Sequence, residues 1–198
     1  MINQNFIYLG AIIFFLGGIG YFVETIQGKV KPNKVTWFLW ALAPMIAFAA
    51  QIKQGVGLES LLTFMVGFIP IIILLASFVN KKSYWKIEKL DLICGSLSII
   101  GLILWQVTKV GNVAILFSLI SDLLAGWPTI IKSYQHPETE NYLIYLGNAV
   151  FALITLLTIK VWTFETYSFS LYIFILTLLI TILVKFKLKK LFIKKHIH

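Results

Sequence analysis

Seven apolar stretches, each long enough for a helix, alternate with short polar breaks along the chain. The first, residues 6–25, ends at Gln27-Gly28-Lys29-Val30-Lys31-Pro32-Asn33-Lys34, where Gly and Pro act as punctuation. The second covers 35–51, with Trp37 and Trp40 near its start, where aromatic side chains favour a membrane interface. The third, 60–80, leads into the longest polar loop, 81–91. A short fourth stretch (92–108) ends in Trp105-Gln106, which reads as an interface anchor, and 112–132, 141–160 and 166–184 follow. Crossing the hydrocarbon of a bilayer takes about 20 apolar residues. The pattern therefore predicts an all-α polytopic membrane protein of seven transmembrane helices. Pro44, Pro70 and Pro128 fall inside the second, third and fifth stretches and are expected bending points. Each removes a helical hydrogen bond, which neighbouring groups can replace within a membrane.

Composition leaves no room for a soluble domain. The 198 residues are 59% hydrophobic and 13% charged, against about 25% charged in soluble domains. The mean hydropathy is +0.90. No Lys/Arg-led n-region or small-residue cleavage site marks the first stretch as a secretory signal, so it is expected to be retained. No Walker motif, dinucleotide fingerprint, HExxH or GxSxG occurs, and an enzyme is not expected. The three His (136, 196, 198) stand in loops or the tail, and Asp122 has no second deep Asp to form an intramembrane protease pair. Cys94 alone can form neither an intramolecular disulfide nor a multi-Cys metal site, and reads as a small apolar filler. Neither a metal nor a cofactor is expected.

The net charge is +9 and all 17 basic residues are Lys. Nucleic acid is not an expected partner, because its readers use the bidentate Arg fork, which is missing here. Membrane orientation accounts for the charge better. With the N-terminus outside, 14 Lys fall on the cytoplasmic side (29, 31, 34, 81, 82, 86, 89, 132 and six in the tail). Three (53, 109, 160) fall outside. Positive loops stay in, so the expected topology is a multi-pass cell-membrane protein, N-terminus out and C-terminus cytoplasmic.

The chain is organised around 118–155. Ser118, Asp122, Gly126 and Thr129 share one face of the fifth stretch. Asn141, Tyr145, Asn148, Ala152 and Thr155 form a second small or polar face on the sixth. A charged residue at the bilayer centre costs at least about 2.5–3.5 kcal/mol, which makes Asp122 a functional candidate. Simple interhelical hydrogen bonding, worth about 0.6 kcal/mol per group, is the rival explanation and fits Asn148 better than Asp122. Glu24, near the Lys-rich break, either reaches toward water and Lys29 or acts as a proton-linked carboxylate.

A shift of 105 residues lays the first three stretches on the last three without a gap, Pro32 on Pro137 and Trp40 on Tyr145. Parallel repeats of this kind place a substrate site near the midplane, where the two units meet. Gly126-Trp127-Pro128-Thr129-Ile130-Ile131-Lys132-Ser133-Tyr134, followed by Pro137-Glu138-Thr139-Glu140, resembles a PQ-loop segment. That motif belongs to the superfamily of SWEET and SemiSWEET sugar transporters, lysosomal amino-acid exporters and the KDEL receptor. Thr129 stands where that family has Gln, and Val23-Glu24 replaces Pro-Gln in the first copy. The resemblance implies a 3+1+3 arrangement of two parallel three-helix bundles: residues 1–80, linker 81–109, residues 110–186 and a basic tail 187–198. It also implies a secondary transporter of a sugar- or amino-acid-like molecule. Asp122, Asn148, Glu24, Thr129, Ser118, Tyr145 and Trp40 would then line the substrate or proton site between helices 1, 2, 5 and 6. A receptor or assembly scaffold of the same fold is the alternative. The bilayer and a polar small molecule are the expected partners, with a homo-oligomer left open.

Overall fold

Each apolar stretch is an α-helix in the computed structural model: α1 (Phe6–Gln27), α2 (Lys34–Lys53), α3 (Ser60–Ala76), α4 (Lys89–Thr108), α5 (Gly111–Gln135), α6 (Tyr142–Thr158) and α7 (Phe164–Phe186). The structure describes residues 2–83, 85–108 and 111–187, without the side chains of 101, 102, 104–108 and 114. Among these residues there is no strand. Lys109, the side chains of Trp105 and Gln106, the tail lysines after Lys187, and His196 and His198 lie outside the described residues.

Cap chemistry decides where the helices begin and end. The Asn33 side chain accepts from the backbone N–H groups of Val35 (3.1 Å) and Thr36 (3.4 Å) and starts α2. Asn141, expected inside the sixth helix, is instead its N-cap and accepts from the N–H of Leu143 at 2.8 Å. Gly28, at φ +74, ends α1, and a Cβ there would lie 2.9 Å from Cβ of Lys82. α3 stops at Ala76, short of the expected residue 80, and Asn80 turns back so that its amide donates to the Ile26 carbonyl at 2.7 Å. α4 is not short: it has 20 residues, and Asp91, expected in the loop, lies in its first turn. α2, α3 and α5 continue through Pro44, Pro70 and Pro128.

The helices expose apolar side chains and bury polar ones. Leu16 and Leu75 are more than 60% exposed, whereas Thr25, Ser118, Asp122 and Thr129 are at most 1% exposed. That inversion is stable where the surrounding solvent is hydrocarbon. α1, α2, α5 and α7 are long and apolar enough to cross a membrane, and α3 and α6 are apolar helices of 17 residues. Seventeen residues rise about 26 Å, near the lower limit for a span. The chain is a helical membrane protein.

α3 packs on α1 and α2, α7 packs on α5 and α6, and α4 lies chiefly along α5. Between these groups the main contacts are α1 with α6 and α2 with α5. The first seam is close because both helices carry glycines. A Cβ on Gly17 would come within 3.2 Å of Ile144 Cα, and one on Gly147 within 3.2 Å of the Ile13 carbonyl. Gly17→Leu should therefore lower stability by about 1–3 kcal/mol, the usual cost of overpacking. Gly20 has nothing within 4 Å of the corresponding position, so Gly20→Leu is the control. Equal melting temperatures for the two variants in detergent would overturn the close seam.

Loop contacts sort the chain ends. Lys31 N–H donates to the Thr139 carbonyl at 3.1 Å, and the Ser83 hydroxyl donates to the Thr25 carbonyl. The α1–α2, α3–α4 and α5–α6 connections thus meet at one end, where Lys185 Nζ also lies 5.6 Å from the Tyr142 ring centroid. At the opposite end Ile2 N–H donates to the Leu157 carbonyl (3.1 Å), and the Gln51 amide donates to the Glu165 carbonyl (3.0 Å).

Helix ends give two offsets between the halves. The starts of α1 and α5 (Phe6, Gly111) and the ends of α2 and α6 (Lys53, Thr158) are 105 residues apart, whereas Gln27 and Gln135, which end α1 and α5, and Lys34 and Tyr142, which begin α2 and α6, are 108 apart. Around the turns the offset is larger because Pro32 and Pro137 are not equivalent there. Pro32 stands next to the cap Asn33, while Pro137 opens a 3-10 turn four residues before the cap Asn141.

Candidate functional site

Mid-way along α5, Asp122 is 1% exposed. Its Oδ2 accepts a hydrogen bond from the Tyr172 hydroxyl of α7 at 2.7 Å, and its Oδ1 has no partner. Its backbone carbonyl accepts from the Trp40 indole of α2 at 3.3 Å. On α6, Asn148 is 7% exposed and its Oδ1 is also without a partner. Both residues line one internal cavity.

Six helices enclose that cavity, every one except α4. α3 and α7 contribute Val66, Pro70, Ile173, Leu176 and Thr177, so the expected lining by helices 1, 2, 5 and 6 alone was incomplete. The aromatic wall is Phe14, Trp37 and Trp40. Trp37 and Trp40 meet edge to face at 5.5 Å, and Trp40 meets Tyr145 at 6.4 Å. Neither Trp is an interface anchor: they are 2% and 7% exposed, turned into the protein by contacts with Tyr21 and α5. The space is about 400 Å³ counted out through its open side, and about 30 Å³ is open to the centres of water molecules. One water needs about 10–15 Å³ by that measure, so this conformation has room for a few waters.

Three pairs of cavity residues stand 108 apart in the chain: Phe14 and Asp122, Trp37 and Tyr145, and Trp40 and Asn148.

Tyr145 links the cavity to a second buried cluster. Its hydroxyl donates to Glu140 Oε2 at 2.9 Å, and the Tyr21 hydroxyl of α1 donates to the same oxygen at 2.8 Å. The other oxygen, Oε1, accepts from Lys132 Nζ at 2.6 Å. Lys132 Nζ also donates to the Lys31 carbonyl and lies 4.6 Å from the Trp85 ring centroid. Lys132, counted above among the cytoplasmic-side lysines at the end of the fifth stretch, is inside α5 and 2% exposed. This cluster ties α1, α5, α6 and the α1–α2 and α3–α4 connections together at the Lys-rich end.

No protein-family model, curated protein or solved structure matches the chain. Function must therefore be read from this geometry.

Of the residues singled out in the sequence, Asp122, Asn148, Tyr145 and Trp40 meet at the cavity, and Pro70 lines it too. Three do not. Thr129 donates to the Thr36 hydroxyl at 3.2 Å, in the α2–α5 seam. Ser118 is fully buried and lies off the cavity. Glu24 is half-buried, and its Oε2 accepts from the Asn141 amide at 2.6 Å, so it steadies the start of α6. Asp91 does the equivalent at α2, its Oδ1 accepting from the Asn33 amide at 2.6 Å. Tyr172, Trp37, Phe14 and the Lys132–Glu140 pair were missed. Tyr172 left a usable signal, a phenol in an apolar helix that needs an acceptor. Among the described residues, no three His, Cys, Asp or Glu side chains come together as metal ligands would.

Proposed function

We propose that the protein is a small secondary transporter of a polar solute, built as a 3+1+3 membrane protein like the PQ-loop and SWEET proteins. Its two units would be α1–α3 and α5–α7, with α4 as the linker. The observation that carries this reading is the cavity itself: a central space lined from both units, holding Asp122 Oδ1 and Asn148 Oδ1 with no protein partner. Buried polar atoms are almost always satisfied, and a buried carboxylate oxygen left open on a cavity is the costliest kind to leave so, which favours a partner arriving there. The pairing α1 with α6 and α2 with α5 is what a two-fold axis along the membrane normal predicts. An axis that brought helices 1 and 5 together has no support, since those two helices share no substantial contact.

In this reading the Lys-rich end faces the cytoplasm and the N-terminus lies outside. The conformation seen is closed there, because the Glu140 cluster seals the α1–α5–α6 junction. Rocking of one unit against the other, eased at Pro44, Pro70 and Pro128, would open it. Proton linkage would run through Asp122. Uptake into proteoliposomes tests transport, and reporter fusions in the 81–91 loop and at the C-terminus test orientation. Saturable uptake of a polar solute, with both reporters cytoplasmic, is the expected result. Binding without uptake would favour a receptor of the same fold, and an extracytoplasmic C-terminus would overturn the topology.

A further inference from the structure

We propose that the cavity takes a small organic ammonium ion, a protonated amine without a carboxylate of its own. This rests on reading the cavity as a ligand site, and goes beyond it by naming the chemistry. The wall has spent its hydroxyl donors on the protein, Tyr145 on Glu140 and Thr177 on the Ile173 carbonyl at 2.7 Å, and Tyr172 behind it donates to Asp122. The Trp40 indole is spent on the Asp122 carbonyl. What remains open is two acceptor oxygens, Asp122 Oδ1 and Asn148 Oδ1, with the Trp37 indole and the Asn148 amide nitrogen as unpartnered donors, and of these groups only Asp122 can carry charge.

A sugar is neutral and would leave the Asp122 carboxylate without a counter-charge. The carboxylate of an amino acid, or any other anion, needs a cation in the wall. The buried cation of this region, Lys132, is already matched by Glu140 and by the Lys31 carbonyl. An ammonium group only donates, and so suits two free oxygens. The same cavity is lined by Phe14, Trp37 and Trp40, and aromatic rings attract a desolvated cation. A carboxylate and aromatic rings lining one space suit a cation. The limited free volume favours a compact ligand over a long chain.

The test uses the purified full chain in detergent and matched probes on propyl, butyl and benzyl skeletons, each as amine, alcohol and carboxylate. Thermal shift and Trp fluorescence read binding without requiring transport. The amines should bind about tenfold more tightly than the alcohols, and the carboxylates should not bind. Asp122→Asn should lose the preference for amines while melting near the wild-type temperature without ligand. If that variant does not fold, Trp40→Leu, which keeps the carboxylate and removes one ring, should weaken amine binding about tenfold. Alcohols or carboxylates binding as well as amines, or no amine binding at all, would overturn the proposal. Uptake of a non-amine solute would then leave the transporter reading standing, whereas amine binding without uptake would remove transport and keep the site.

Discussion

Lys132→Met should destabilise the protein by about 3–5 kcal/mol, because it strips one partner from a fully buried ion pair and leaves the Glu140 carboxylate uncompensated. Two phenol donors stay on Glu140, from Tyr21 and Tyr145, but neither carries a positive charge. Glu140→Gln should cost a similar amount, since it leaves an ammonium group with the Lys31 carbonyl and the Trp85 ring face for company. The double variant Lys132→Met/Glu140→Gln should recover most of the loss, because no bare charge is then buried. Thermal melts of the four proteins in one detergent form a double-mutant cycle. Additive single effects would show that the two side chains do not act as a pair.

That cluster was invisible in the sequence for a physical reason. Lys132 sits at the edge of an apolar stretch, and its loop-side position looks the same whether the ammonium reaches water or turns inward. What turns it inward is Glu140, which is brought back over the end of α5 by the 3-10 turn at Pro137–Thr139. Spacing along the chain does not encode that return. The number of helices was legible, because hydrophobic runs interrupted by Gly, Pro and Asn are local signals. Helix starts were legible to within a residue for α1, α2, α3 and α6, but that the Asn33 and Asn141 side chains cap α2 and α6 was not read from the sequence. The 108-residue offset at the turns sets Trp37 against Tyr145 and Trp40 against Asn148, whereas the 105-residue offset sets Trp40 against Tyr145.

The site was half legible by the same logic. Asp122 announced itself because a carboxylate in the middle of an apolar helix has few innocent explanations. Ser118 and Thr129 lie on the same face at helical spacing and looked equally involved. A helix face is wide, however, and α2 covers the part that holds Thr129, whose hydroxyl bonds Thr36 instead of facing a cavity. Aromatic residues misled in the opposite direction. Trp37 and Trp40 follow a polar loop, where interface anchoring is the usual rule, yet the close approach of α2 to α5 draws both rings inside. Gly126 permits that approach: a Cβ there would lie 3.0 Å from Cζ2 of Trp40.

Asp122→Asn should insert and fold like the wild type yet lose transport, or lose its dependence on a proton gradient. An amide can still accept the Tyr172 hydrogen bond, so the α5–α7 contact survives the change. What it cannot do is carry a negative charge into the cavity or take up and release a proton at Oδ1. If Asp122 only fastens α5 to α7, the variant should transport normally, and Tyr172→Phe should do more harm to stability than Asp122→Asn. If it serves the solute, Tyr172→Phe should keep transport while Asp122→Asn abolishes it, with both melting temperatures near that of the wild type. Asp122→Leu removes the hydrogen bond and the charge together and fails under either reading, so Asn is the informative replacement. Initial uptake rates in proteoliposomes at two internal pH values, with insertion checked by protease protection, separate the cases. Full, pH-dependent transport by a correctly inserted Asp122→Asn protein would remove Asp122 from the mechanism.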